Sequence, residues 1–256
     1  MSDHTGQFVW HELITTDADA ALAFYGKVVG WTWKDAGVPG MRYDLLHTGD
    51  VQVGGVMAVN FAECPGAGPG WMGYIACTDV DAFADRVGKA GGKTMMGPQD
   101  IPNVGRFAVV ADPQGAPFVL FRDASGSEPP KTEMGAPGSA AWCELYADDW
   151  QAAFDFYSGL FGWSKADAMD MGEMGTYQIF ARGDAWVGGM MNRPENVPAP
   201  FWLYYFHVEH IGRAAERIKQ AGGSILWGPD AVPGGFALHG LDPQGAMFGL
   251  FGPRPE

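Results

Sequence analysis

The chain has 256 residues, 47% of them hydrophobic, enough to bury the cores of two domains of ordinary size. Its 30 acidic side chains against 16 basic ones leave a net charge of −14. That balance argues against nucleic acid or an anionic membrane as partner, because both would be repelled within a Debye length of about 8 Å. No apolar run approaches the roughly 18 residues of a membrane span, and Met1-Ser2-Asp3-His4 lacks a basic region followed by an apolar core, so a cytoplasmic location is expected.

In chain order, Phe8 to Ile14 is rich in β-branched and aromatic residues and predicts a strand. Thr16 or Asp17 caps a helix carrying Ala20, Ala21, Ala23 and Phe24, and Gly30 ends it. Strands follow around Thr32-Trp33, at Tyr43 to Leu46 and at Val51 to Val59, and 61–70 forms a Pro/Gly-rich connector. The order then restarts: a strand at Trp71 to Cys77, a helix from about Asp79 to Ala90, and strands near Lys93 to Met96, Phe107 to Ala111 and Phe118 to Phe121. Residues 1–123 thus hold two βαβββ units. A Pro/Gly/Ser-rich linker occupies 124–139, and 140–256 repeats the plan. Its strands are expected at Ala141 to Tyr146, Tyr177 to Phe180, Ala185 to Met191, Phe201 to Val208 and Met247 to Phe251, and its helices near Trp150 to Leu160 and Ile211 to Ala221.

The repetition is exact enough to read by eye. Trp10-His11-Glu12-Leu13, Asp17, Phe24-Tyr25 and Gly30-Trp31 return 132 residues later as Trp142-Cys143-Glu144-Leu145, Asp149, Phe156-Tyr157 and Gly162-Trp163. Asp112-Pro113-Gln114-Gly115 likewise returns as Asp242-Pro243-Gln244-Gly245. A period this long is that of a whole domain, so the chain is a tandem duplication. Such a duplication can satisfy internally a pairing that single domains obtain by dimerising, so monomer and homodimer are both open. The cysteines, Cys64, Cys77 and Cys143, are odd in number and unclustered, which predicts reduced thiols, mostly buried.

These repeated residues resemble the vicinal oxygen chelate superfamily, which includes glyoxalase I, extradiol dioxygenases and the fosfomycin- and bleomycin-resistance proteins. The resemblance spans roughly 8–122 and 140–252, and Trp-x-Glu-Leu with Gly-Trp resembles a tandem glyoxalase-like subgroup. It implies an α+β fold of two tandem domains, each made of two βαβββ units forming a cupped mixed sheet. In metal-using relatives, the first and last strands of the units supply His and Glu to a divalent ion that polarises a substrate carrying adjacent oxygens. Aligned on that pattern, the first-strand positions are Trp10, Met72, Trp142 and Leu203, and the last-strand positions are Val119 and Gly249. None of these suits a hard or borderline divalent ion, so no metal or other cofactor is expected.

Strand parity places Glu12 and Glu144 on the same face as Trp10 and Trp142. In an aromatic pocket such carboxylates serve either as general acid or base, or as structural acceptors across the sheet. His207, where the first copy has Ala76, shares the ligand parity with Tyr205. It reads either as a hydrogen-bonded core histidine or as the partner of Glu144 in an acid/base pair or displaced metal site. His11 falls on the opposite face and should pack under the helix. Tyr43 and Tyr177, and Tyr74 and Tyr205, are repeated tyrosines that either orient a ligand carbonyl or fill space. His239 and Arg106 precede the Asp-Pro-Gln-Gly turns, with parity too loose to place them. Gly97-Pro98 to Pro102-Asn103 and Gly228-Pro229 to Pro233-Gly234 read as loops at cup rims, and most methionines as core or gap filling.

The sequence therefore points to a binder of a small aromatic or carbonyl compound, with Trp10, Tyr43, Tyr74, Trp142, Tyr177 and Tyr205 as ligand-binding residues and no metal ligand. The alternative is a lyase or isomerase of glyoxalase type, with Glu12, Glu144 or His207 moving protons. A dioxygenase would need a divalent metal in a site rearranged near Glu144 and His207.

Overall fold

The computed structural model describes residues 4–38, 40–63, 67–126 and 135–253. Four βαβββ modules follow one another. The first is β1 (Phe8–Thr15), α1 (Ala18–Val28), β2 (Thr32–Asp35), β3 (Tyr43–Thr48) and β4 (Val51–Ala58). The second is β5 (Gly70–Ala76), α2 (Val80–Lys89), β6 (Lys93–Ile101), β7 (Gly105–Ala111) and β8 (Pro117–Asp123). The third is β9 (Ala140–Ala147), α3 (Trp150–Phe161), β10 (Ser164–Asp170), β11 (Thr176–Arg182) and β12 (Ala185–Asn192). The fourth is β13 (Phe201–His207), α4 (Ile211–Gln220), β14 (Ser224–Val232), β15 (Gly235–Leu241) and β16 (Met247–Gly252). Two eight-stranded mixed sheets result, in the orders β2-β3-β4-β1-β5-β8-β7-β6 and β10-β11-β12-β9-β13-β16-β15-β14. The sheets follow the sequence halves.

Dense packing divides the chain differently. One compact unit is Met1–Val9, Met72–Pro129 and Trp142–Trp202, which joins the second and third modules; the other is Trp10–Trp71, Pro130–Ala141 and Leu203–Glu256, which joins the first and fourth. The repeated signature residues hold each unit together. In the first unit, Trp202 Nε1 donates to the Tyr157 hydroxyl at 3.0 Å, and that hydroxyl donates to Asp112 at 3.2 Å. In the second, Trp71 donates to Tyr25 at 3.0 Å and Tyr25 to Asp242 at 3.3 Å. The glutamine of each Asp-Pro-Gln-Gly turn completes the arrangement by binding a helix start of the opposite half. Gln114 exchanges two 2.8 Å hydrogen bonds with the backbone of Asp149. Gln244 accepts from the backbone N–H of Thr16 and Asp17 and donates to the Asp17 carbonyl. The duplicated Asp-Pro-Gln-Gly motif is thus a clasp between repeats.

Asp17, rather than Thr16, caps α1, accepting from Ala20 N at 3.0 Å; Asp79 and Asp149 cap α2 and α3 in the same way. Several sequence expectations need correction. The stretches read as rim loops after Gly97 and Gly228 are largely strand, because β6 and β14 continue to Ile101 and Val232 through register shifts that absorb the Gly-Pro pairs. Strands β10, β14 and β15 carry little alternating hydrophobicity and escape pattern reading; β10 is exposed along nearly all its length. Met95, Met96, Met171 and Met174 are exposed rather than core, whereas Met190 and Met191 are buried. His11 is buried and meets the β13 rings of Tyr204 and Phe206 at centroid distances of 5.0 and 5.9 Å. Cys77 and Cys143 are buried free thiols, and Cys64 lies outside the described residues.

Candidate functional site

Each first-strand glutamate stands in a cluster built from three strands. In the first module, Glu12 on β1 lies opposite Gly55 on β4, and β3 pairs with β4 on its other side. Tyr43 of β3 extends across β4 at Gly55: a methyl built on that glycine would overlap the Tyr43 hydroxyl. The missing side chain is what lets the ring cross. The hydroxyl hydrogen-bonds Glu12 and accepts from Trp10 Nε1 at 3.0 Å. The third module repeats this: Glu144 opposes Gly189, the Tyr177 ring lies over Gly189 and reaches Glu144, and Trp142 Nε1 donates to Tyr177 at 2.7 Å.

The electrostatics follow from burial. Both glutamates are 7% exposed. Burial and then the neighbouring carboxylate push both Tyr43 and Tyr177 well above the ordinary phenol range, so these hydroxyls remain protonated donors at neutral pH. Each cluster is therefore a directed chain in which indole donates to phenol and phenol to carboxylate. Around Tyr177 the face is apolar: Ile179 and Met191 are buried with it, and Trp142, Tyr146 and Met169 pack against them. Only the partly buried Trp142, Tyr146 and Met169 at the margin of this buried cluster have area on which a flat aromatic molecule could stack.

The other sequence-predicted residues sit in different settings. Tyr74 packs edge-on against Phe121 at 5.8 Å. His207 lies beside Phe251 at 5.4 Å, its backbone is tied to Gly138 and Ser139, and burial lowers its pKa. Glu144 belongs to the first compact unit and His207 to the second. Tyr205 meets His239 at 2.6 Å. The signal for His239 was Gly249, a glycine between Phe248 and Leu250 that lies opposite both Tyr205 and His239, as Gly55 lies opposite Glu12. Arg106 instead forms surface ion pairs with Asp81 and Asp100.

The positions that the resemblance aligns with metal ligands do not suit a divalent ion. Trp10 and Trp142 are hydrogen-bond donors to tyrosine, Leu203 and Val119 are buried hydrocarbon, and the Tyr205 ring covers Gly249. Among the described residues, no three His, Cys, Asp or Glu side chains are grouped as a metal site would require.

Comparison with known proteins agrees with this architecture. The family model described as Glyoxalase/Bleomycin resistance protein/Dioxygenase superfamily matches residues 3–120 and 139–250. The chain is 33% identical to "Putative glyoxylase CFP32" of Mycobacterium tuberculosis over 251 residues, covering 96% of this chain and 95% of that one. It is 32% identical to the anthracycline biosynthesis protein DnrV of Streptomyces peucetius over 260 residues, covering 96% and 92%. Among solved structures, the Mn(II)-bound glyoxalase of Novosphingobium aromaticivorans superposes with a TM-score of 0.67 at 18% identity, covering 98% of this chain and 83% of that one. The 2,3-dioxygenase LapB of Pseudomonas sp. KL28 superposes with a TM-score of 0.65 at 14% identity, covering 97% and 93%. At these identities the structures speak for the fold alone.

Proposed function

The chain belongs to the glyoxalase/bleomycin resistance protein/dioxygenase superfamily, and on that premise we propose that it binds a flat organic molecule bearing carbonyl or hydroxyl oxygens, without a divalent ion. The observation that carries this reading is the duplicated Trp–Tyr–Glu cluster, with indoles at the positions where a metal enzyme would present ligands. The aromatic and methionine surface beside Tyr177 supplies area for stacking, and the glutamate supplies a strong acceptor for a ligand hydroxyl. A relative named for anthracycline biosynthesis is consistent with a planar, oxygen-bearing ligand. The small molecule is the expected partner, with no nucleic acid or membrane, for a cytoplasmic monomer or homodimer. No helix among the described residues is long and apolar enough to cross a membrane.

Titration with 1,4-dihydroxyanthraquinone while following tryptophan emission tests this reading. Binding on the order of micromolar with quenching is expected, weakened about tenfold by the double variant Tyr43→Phe/Tyr177→Phe. No quenching by this compound or by a broad panel of hydroxylated aromatics would count against it.

The buried carboxylates favour a second reading, proton transfer in a lyase or isomerase step. There Glu144→Gln should abolish turnover and leave ligand affinity nearly intact; equal loss of both would contradict a catalytic role.

A further inference from the structure

The fourth module contains a row of four residues that runs straight across its strands. Tyr205 on β13 is paired with Gly249 on β16, Gly249 with His239 on β15, and His239 with Trp227 on β14. Residues directly opposite one another share a face of the sheet. The neighbours Tyr204 and Phe206 point the other way, into the packing around His11, Trp31 and Trp71. Gly249 has no side chain, and a methyl there would run into the Tyr205 ring, so Tyr205 lies across it and brings its hydroxyl to 2.6 Å from His239 Nε2. The Trp227 ring follows at 4.7 Å from His239, inclined at 46°, and is 38% exposed.

The second module has the same row with different chemistry. Tyr74 is paired with Val119, Val119 with Val109, and Val109 with Met96. This row carries two valines and, at its exposed end, Met96, with no polar group after Tyr74. The glycine, histidine and tryptophan of the fourth module are a departure from its own repeat, and together they create a polar pair beside an exposed indole.

We infer that Tyr205, His239 and Trp227 form a binding subsite, particular to the second half of the chain, for the edge of a planar hydroxyquinone-like ligand that carries a hydroxyl next to a carbonyl. The inference rests on the reading of the protein as a binder of flat oxygenated molecules, and it assigns one end of that ligand. Trp227 supplies a face for stacking. The Tyr205–His239 pair supplies hydrogen bonding that adapts to the ligand. When Nε2 carries no proton, Tyr205 donates to it and the phenol oxygen accepts from a ligand hydroxyl. In the other tautomer, Nε2–H donates to the phenol oxygen and the Tyr205 hydroxyl donates to a ligand carbonyl. Burial holds His239 down to about 4, so the imidazole is neutral at physiological pH and both arrangements are open to it.

The test compares 1,4-dihydroxyanthraquinone with its 1,4-dimethoxy analogue, which keeps the ring and both carbonyls but has no hydroxyl. Wild-type protein should prefer the dihydroxy compound. Tyr205→Phe, and His239→Val, which copies the second module, should each weaken its binding about tenfold and erase the preference. Trp227→Ala should weaken both compounds alike, because it removes stacking area and no hydrogen bond. Thermal melting within a few degrees of wild type shows that the variants are folded. His239→Phe, which keeps the ring volume, replaces His239→Val if the latter melts early. Binding that falls in Tyr43→Phe/Tyr177→Phe but holds within twofold in the Tyr205 and His239 variants would overturn this subsite and leave the broader reading standing. No binding of either compound by wild type would overturn both.

Discussion

The Tyr177 ring rests on the bare Cα of Gly189, and that contact lets a β11 side chain span β12 to reach Glu144 on β9. Tyr43 and Gly55 repeat it in the first half. Both glycines are structural conditions for the candidate site. Gly189→Ala should displace the tyrosine, break the hydrogen bond from Trp142 and cost about 1–3 kcal/mol by overpacking. Thermal or denaturant unfolding measures the cost. Gly159 in α3 is the control, since a methyl there meets nothing within 4 Å; Gly159→Ala should raise stability by about 0.5–1 kcal/mol.

The clasp glutamines should matter to stability even though they lie at the surface. Gln244→Ala removes the acceptor for the N–H groups of Thr16 and Asp17 at the start of α1, and Gln114→Ala removes the one for Asp149 at the start of α3. A loss of about 1 kcal/mol each is expected, as for other helix-start contacts. Chemical denaturation of the single and double variants checks it. An unchanged midpoint in the double variant would show that the clasp contributes nothing.

Most of the fold was legible because duplication exposes its own landmarks: the Phe-Tyr and Gly-Trp signatures recur in register and mark α1 and α3, and Asp-Pro-Gln-Gly recurs before the last strand of each half. The structural meaning of those landmarks was not legible. Nothing in the spacing of Gln244 says that it grips Thr16 and Asp17 more than two hundred residues away. Edge strands such as β10 and β14 were also hidden, since their exposure removes the hydrophobic alternation on which strand prediction depends. That Glu12 and Glu144 share a face with Trp10 and Trp142 was readable from parity and repetition. His239 was not, because β15 carries too little hydrophobic alternation to be read as a strand, and Gly249, the glycine that marks it, lies on another strand.

His11 gives a pH dependence of known sign. Burial lowers its pKa from 6.5 to about 4, so it stays neutral in the folded chain while the unfolded chain binds a proton below pH 6.5. Its contribution to stability is complete above pH 6.5 and is lost as pH falls toward 4. At pH 5 the loss is about 2 kcal/mol. His11→Cys, which copies the buried Cys143 of the second repeat, should flatten this part of the acid limb. Unfolding free energies at pH 7 and pH 5 decide it: the wild type should lose more than the variant, and equal losses would contradict the assignment.

We propose that aromatic clusters, not a metal ion, hold the ligand. Isothermal titration with 1,4-dihydroxyanthraquinone, before and after exhaustive dialysis against chelator and again with added Mn(II) or Zn(II), tests it most directly. The same Kd, on the order of micromolar, is expected in all three states. Binding that disappears on chelation and returns with one equivalent of metal would contradict it.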